Sequence, residues 1–301
     1  MKRLVLALSA AVAVVAVSVA PAAAVTGHFV PDPDHTYVGL IAFYDADGAF
    51  DHRCTGELLA PTVVLTAGHC TVDAAGSGPD DVMPSARIWF QQGAGANLDP
   101  ATNRDPITGY PVDCATGTLG SLCAESHLMY DFGFVFPGFL PNSRDVGLVI
   151  LDQPITDVGF ASLAGAGALD SLNRAKGTQD KVFRVSGYGI SSSAHKGAVV
   201  TSFRTRLQAT EKLVNTVSAR DNAGFNIQLN GNGDSRGGTC AGDSGGPVFY
   251  PQGSNQVVAV TSFGKTIDCR GDGFYYRTDR RPVIDWILAH AGADARLIQV
   301  N

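Results

Sequence analysis

The sequence predicts an all-β chain with many turns. Three observations carry this: few charges, much glycine and a series of short apolar runs. Charged residues make up 17% of the 301-residue chain, against roughly 25% in an average soluble domain. Glycine contributes 35 residues, and apolar residues reach 45%, enough for a buried core. The runs are YVGLIAFY from Tyr37, TVVLTA from Thr62, ARIWFQ from Ala86 and VGLVIL from Val146. Later come KVFRVSGYG from Lys181, VVTSFRTRLQ from Val199, NQVVAVTSF from Asn255 and GFYYRT from Gly273. They are rich in β-branched and aromatic residues and bounded by Gly, Pro, Asn and Asp, as strands are. Many short strands with turn signals build barrels or sandwiches.

One helix is expected, near the end. RRPVIDWILAHAG places Pro282 in the first turn and repeats Val283, Trp286, Ile287 and His290 at helical spacing, with Gly292 as the C-cap. His290 reads as a surface or cap residue. The segment from Gln91 to Arg144 is the least regular and reads as a long surface insertion stapled by a local Cys114–Cys123 disulfide. Its acidic residues lack the spacing of a calcium loop, so no metal is expected.

Lys2 and Arg3, the apolar run Leu4–Ala20 and the small residues Ala22–Ala24 form the three-part pattern of a secretory signal peptide, residues 1–24. Removing it leaves 20 basic against 28 acidic residues, a net charge of −8. That argues against capture of nucleic acid or an anionic membrane. Six cysteines in an exported chain read as three disulfides, and 15 pairings are open. No C-x-x-C occurs, so zinc-ribbon and thioredoxin readings lack support.

GTCAGDSGGP, at 238–247, is too polar and glycine-rich for a strand interior or a helix. A serine held there works as a nucleophile only beside a base, and the base needs an orienting carboxylate. Of seven histidines, His69 has the special context: it ends VVLTAGHC, where a buried strand stops against Cys70. Of the aspartates, Asp145 opens DVGLVIL, directly before a run apolar enough to be fully buried.

LTAGHC, DVGLVIL and GDSGGP resemble the three active-site motifs of the chymotrypsin/trypsin-like serine peptidases, in that family's order, and suggest a secreted, bacterial-type member. The order excludes an α/β-hydrolase or subtilisin arrangement. SGYG at 186–189, SFG at 262–264 and GFYYRT at 273–278 extend the resemblance. It implies two six-stranded antiparallel Greek-key β-barrels with a C-terminal α-helix. Residues 25–155 would form the first barrel, carrying His69 and Asp145. Residues 156–301 would form the second, carrying Ser244 and the helix.

The resemblance further implies a catalytic triad of His69, Asp145 and Ser244, with acyl-enzyme chemistry on protein or peptide substrates. The amides of Gly242 and Ser244 would form an oxyanion hole. Gly238, Thr239, Ser262, Phe263, Gly264 and Gly273 would bind substrate. With no aspartate at Gly238, an apolar residue before the scissile bond (P1) is expected, the alternatives being a small residue or, through Asp268 and Asp272 in the adjoining loop, a basic one. Cys54–Cys70 and Cys240–Cys269 match two family disulfides, whereas Cys114–Cys123 has no counterpart. A freed Val25 amine would pair with Asp243 and order the site. No cofactor is implied, and a monomer is expected. The alternative is a catalytically silent relative that binds a partner through the same cleft.

Overall fold

A computed structural model describes residues 26–73, 81–94, 104–105, 108–110, 123–135, 140–172, 181–192, 199–200, 204–218, 220–233, 235–266, 269 and 271–301. The signal peptide, Val25 and Cys114 lie outside them, and so does the Cys114–Cys123 pairing.

An arm of two short strands comes first, β1 (Thr26–Gly27) and β2 (Phe29–Pro31). A first sheet follows: β3 (Val38–Tyr44), β4 (Phe50–Ala60), β5 (Val63–Thr66), β6 (Ser85–Trp89), β7 (Cys123–Ser126), β8 (Leu128–Asp131) and β9 (Gly147–Ile150). Its order is β7-β6-β3-β4-β5-β9-β8, antiparallel throughout. Only His127 separates β7 from β8, so one bent strand holds both edges of this curled sheet. At the bend the Ser126 hydroxyl donates to the carbonyls of Leu128 and Ile150. Every residue of β3 is buried, which explains its unbroken apolar run.

The second sheet contains β10 (Ser162–Leu163), β11 (Val182–Gly187), β14 (Leu207–Asn215), β15 (Asn226–Asn230), β17 (Pro247–Phe249), β18 (Gln256–Gly264) and β19 (Asp272–Arg277). The order β18-β17-β11-β14-β15-β19 closes through β18–β19 pairing into a six-stranded barrel. Two smaller pairs remain: β12 (Ser191–Ser192) with β13 (Val199–Val200), and β16 (Gly237–Gly238) with β1. On β14 the side chains of Leu207, Ala209, Glu211 and Leu213 are buried, while Thr210 and Lys212 are half-exposed. Two apolar clusters fill the sheets, one around Leu40, Val64, Trp89 and Val149, the other around Phe183, Ile227 and Val258.

The helices are α1 (Gly68–Thr71) and α2 (Arg281–His290), the latter with Pro282 in its first turn and Gly292 beyond its C-cap at φ +59°. The Nδ1 of His290 meets the Trp286 carbonyl at 2.8 Å. Burial of Val283, Ile284 and Ile287 fixes α2, and each such side chain contributes about 1.5–3 kcal/mol.

Three expectations are corrected. The 91–144 segment is not only a surface insertion, because it supplies β7 and β8; Ala124 and Met129 on them are buried in the first core. The arm, assigned to the first barrel, pairs with the second: β2 lies against β14 and β1 against β16. The run expected as one strand from Val199 instead holds the two-residue β13 at Val199–Val200 and a separate strand, β14, that starts at Leu207, where the inward alternation begins. In turn α2 crosses to the first sheet, with Trp286 against Phe132 and His290 against Tyr130. Buried Arg206 joins the arm to both sheets, donating to the carbonyls of Asp32, Val38 and Phe90.

Candidate active site

His69 stands on α1, directly after β5. Asp145 lies just before β9, the neighbour of β5, so the register of these two strands sets them side by side. Asp145 Oδ1 accepts the His69 backbone N–H at 2.8 Å, and Oδ2 lies 2.9 Å from His69 Nδ1. Nδ1 therefore carries the proton, and Nε2 is left with its lone pair. The Ser262 hydroxyl donates to Asp145 Oδ2 from the second sheet. Burial pushes the Asp145 carboxyl up, but the imidazole beside it, the Ser262 hydroxyl and the His69 amide outweigh this and hold it below its ordinary range. Burial likewise lowers the His69 pKa, yet the adjacent carboxylate prevails and leaves it above 6.5. The Cys54–Cys70 disulfide ties the turn of His69 to β4.

Ser244 sits in the loop between β16 and β17. The loop docks on the first sheet: Thr55 N–H donates to the Ser244 carbonyl and the Thr55 hydroxyl to that of Gly242, both at 2.8 Å. Gly245 has φ +78°, and a Cβ there would stand 2.0 Å from Thr66 Oγ1, so no other residue fits. Gly242, at φ +95°, also occupies the left-handed region. Among the described residues the N–H groups of Gly242 and Ser244 donate to no protein acceptor, although those of Asp243, Gly245 and Gly246 do. Buried amides are seldom left unspent. His69 and Ser244 are not hydrogen-bonded to each other, and such bonds often tighten only with substrate.

A cavity of about 420 Å³ opens beside Ser244. All six residues expected to bind substrate line it: Gly238, Thr239, Ser262, Phe263, Gly264 and Gly273. Lys265 and Asp272 line it as well. The Cys240–Cys269 disulfide spans its rim. Asp243 turns away from the cavity and is fully buried; its carboxylate accepts the N–H groups of Gly189 and Cys240, each at 2.8 Å. Burial outweighs those two bonds and pushes the carboxyl up to about 7. Val25 lies outside the described residues. The next residue, Thr26, pairs with Gly238 and donates its hydroxyl to the carbonyls of Gly238 and Cys269.

Sequence reasoning gave Ser262 a substrate role and missed its bond to Asp145, because the two are 117 residues apart. It also missed Glu211, buried behind the cavity floor. The period-two alternation of LQATEKL carries that signal, since it sets Glu211 on the same face as Ala209 and Leu213.

Two curled sheets flanking a cleft, with an imidazole–carboxylate pair on one side and a glycine-framed serine on the other, define a double-barrel architecture of the serine-peptidase kind. The chain belongs to the trypsin family, whose model matches residues 126–287, more than half its length. Relatives include the "Spaetzle-processing enzyme" of Drosophila melanogaster, 27% identical over 79% of this chain and 58% of that protein. The "CLIP domain-containing serine protease HP8" of Bombyx mori is 26% identical over 85% and 66%, and the "Proclotting enzyme" of Tachypleus tridentatus 28% over 79% and 58%. The chain thus spans roughly six-tenths of the length of these relatives. All three are from arthropods, and they lend no support to a bacterial-type member. A solved structure of "HL collagenase" shares the fold, with a TM-score of 0.55, 16% identity and coverage of 88% of this chain and 97% of that one.

Proposed function

We propose that the chain is a serine endopeptidase acting through Ser244, His69 and Asp145. The observation that carries this reading is the Asp145–His69 pair, which leaves Nε2 free to take a proton. In this reading the Ser244 hydroxyl attacks the scissile carbonyl and His69 takes its proton. Asp145 keeps the tautomer and stabilises the imidazolium. The unspent amides of Gly242 and Ser244 receive the oxyanion, each such donor lowering the barrier by about 2.7–4 kcal/mol. His69 then protonates the leaving amine, and water releases the acyl group from Ser244.

Asp243 is the partner proposed for a freed Val25 amine. A buried carboxyl pushed up to about 7, and an arm fastened through Thr26 to Gly238 and Cys269, support that reading. The leader pattern of residues 1–24 supports export to the extracellular space. No helix among the described residues is long and apolar enough to cross a membrane.

The test is labelling with a serine-directed phosphonate, followed by peptide mapping. Label on Ser244, lost in Ser244→Ala, is expected. A folded protein that takes up no label would instead fit the silent binding relative.

A further inference from the structure

One short stretch bridges α2 and the imidazole. Asp131 ends β8, paired with Gly147 of β9, and Phe132 donates its N–H to the Val146 carbonyl at 2.9 Å. Two aromatic rings then point to different partners. The Phe132 ring lies against Trp286 of α2, 5.3 Å between centroids, and the Phe134 ring lies against His69 at 5.8 Å. Between them the chain turns at Gly133, whose φ of +106° suits few side chains. Asp131 makes that turn. Its Oδ2 accepts the N–H groups of Gly133 at 2.9 Å and Phe134 at 2.8 Å, as an aspartate does in an Asx turn.

The acid stands in a costly place. Its Oδ1 is buried and has no partner among the described residues. Burial and the charge of Asp145 outweigh the amides and push the carboxyl up to about 6. The same Oδ1 presses on Gly68, the residue before His69: a Cβ there would stand 2.6 Å from Oδ1 and 3.1 Å from the Phe134 Cβ. His69 itself is lightly held. Its side chain is 28% exposed, and its ring is tethered to Asp145 through Nδ1 alone. Among the described residues Phe134 is the one ring packed on the imidazole.

We propose that Asp131 is a positioning residue for His69: its carboxylate fixes the turn at Gly133, the turn seats Phe134 on the imidazole, and Phe134 keeps the imidazole on Asp145 while it takes the Ser244 proton. This rests on the peptidase reading. Asp131 touches no reacting atom and acts wholly through Phe134. The contact also serves the charged form, because a cation within about 6 Å of an aromatic centroid is attracted by the ring. Trp286 holds the near end of the bridge by packing on Phe132.

Diisopropyl fluorophosphate is the probe, since it needs a working serine and base and no filled specificity cavity. The rate of Ser244 labelling in the full chain is measured at alkaline pH, together with the low-field proton resonance of His69 Nδ1–H. D131A and F134A should each slow labelling by roughly tenfold or more, the scale of loss a small misplacement causes, and broaden the resonance. The double variant should be no slower than either single one, because both changes break the same contact. D131N, whose amide oxygen accepts the same two N–H groups, should restore the rate to within about threefold of native. Near-native labelling in F134A, losses that multiply in the double variant, or D131N as slow as D131A overturns the proposal. F134A decides the matter if D131A fails to fold, because Phe134 is half-exposed. Labelled Ser244 with rates indifferent to both changes overturns this inference and leaves the peptidase reading standing. No label on the native chain overturns the peptidase reading, and this inference with it.

Discussion

The two ends of the cleft each bury a carboxyl group, and their partners leave the two in opposite states. Asp145 faces an imidazole, a hydroxyl and an amide, and lies below its ordinary range. Glu211 faces a hydroxyl, an amide and two acids, and is pushed up to about 8. Burial is common to both. The charge of the neighbour decides which form survives, and hydrogen bonds alone do not offset the loss of water.

The largest expected effect removes the proposed nucleophile, in the loop beside the cavity. Ser244→Ala should cut kcat on the order of 10⁶-fold, with the melting temperature nearly unchanged. Loss of stability together with activity would mean that the serine loop is held by its hydroxyl. Asp145→Asn turns the first end into an uncharged one. A fall of about 10⁴-fold in kcat is expected, the loss known for this exchange in Ser-His-Asp sites; less than tenfold would show that the pair does not work as a unit.

The same contrast appears in pH profiles. His69 must be neutral to accept a proton, and Asp145 holds its pKa above 6.5. Activity on an uncharged-P1 substrate should therefore decline as pH falls through a value above 6.5, and Asp145→Asn should move that limb to lower pH. An acid limb below 6 in the native chain would break the comparison. A smaller effect comes from Ser262→Ala, which removes one donor to Asp145. Hydrogen bonds to charged groups contribute about 1.5–3 kcal/mol, so roughly a tenfold loss in kcat/KM is expected, larger at low pH.

The smallest effect concerns a third buried acid. Among the described residues Glu57 has no partner for either oxygen, and burial pushes its pKa well above the usual 4.5. The folded chain keeps this proton where the unfolded chain releases it, so stability falls as pH rises above about 4.5. Glu57→Met should add about 1–3 kcal/mol at pH 8 and less at pH 4, read by denaturant unfolding. An equal gain at both pH values would show that the penalty is not one of ionisation.

What could be read from the chain follows the same physics. His69, Asp145 and Ser244 were legible because each sits where a strand ends or a glycine turn begins, which is local information. β3 and β9 were legible as apolar runs. β4 was not, because FDHRCTGELLA mixes charges and glycine with its buried residues. Glu211 looks exposed by type and is buried by position. The Ser262–Asp145 contact joins the two sheets, and no local pattern encodes it.

Each end of the described chain is buckled to the half of the molecule that the other end builds. The arm from Thr26 lies along the second sheet, and α2 closes over β8 of the first. The cleft is therefore a seam stitched from both sides by the chain's own tails. Trimming either tail is therefore expected to loosen the opposite wall, and with it the spacing between His69 and the serine loop.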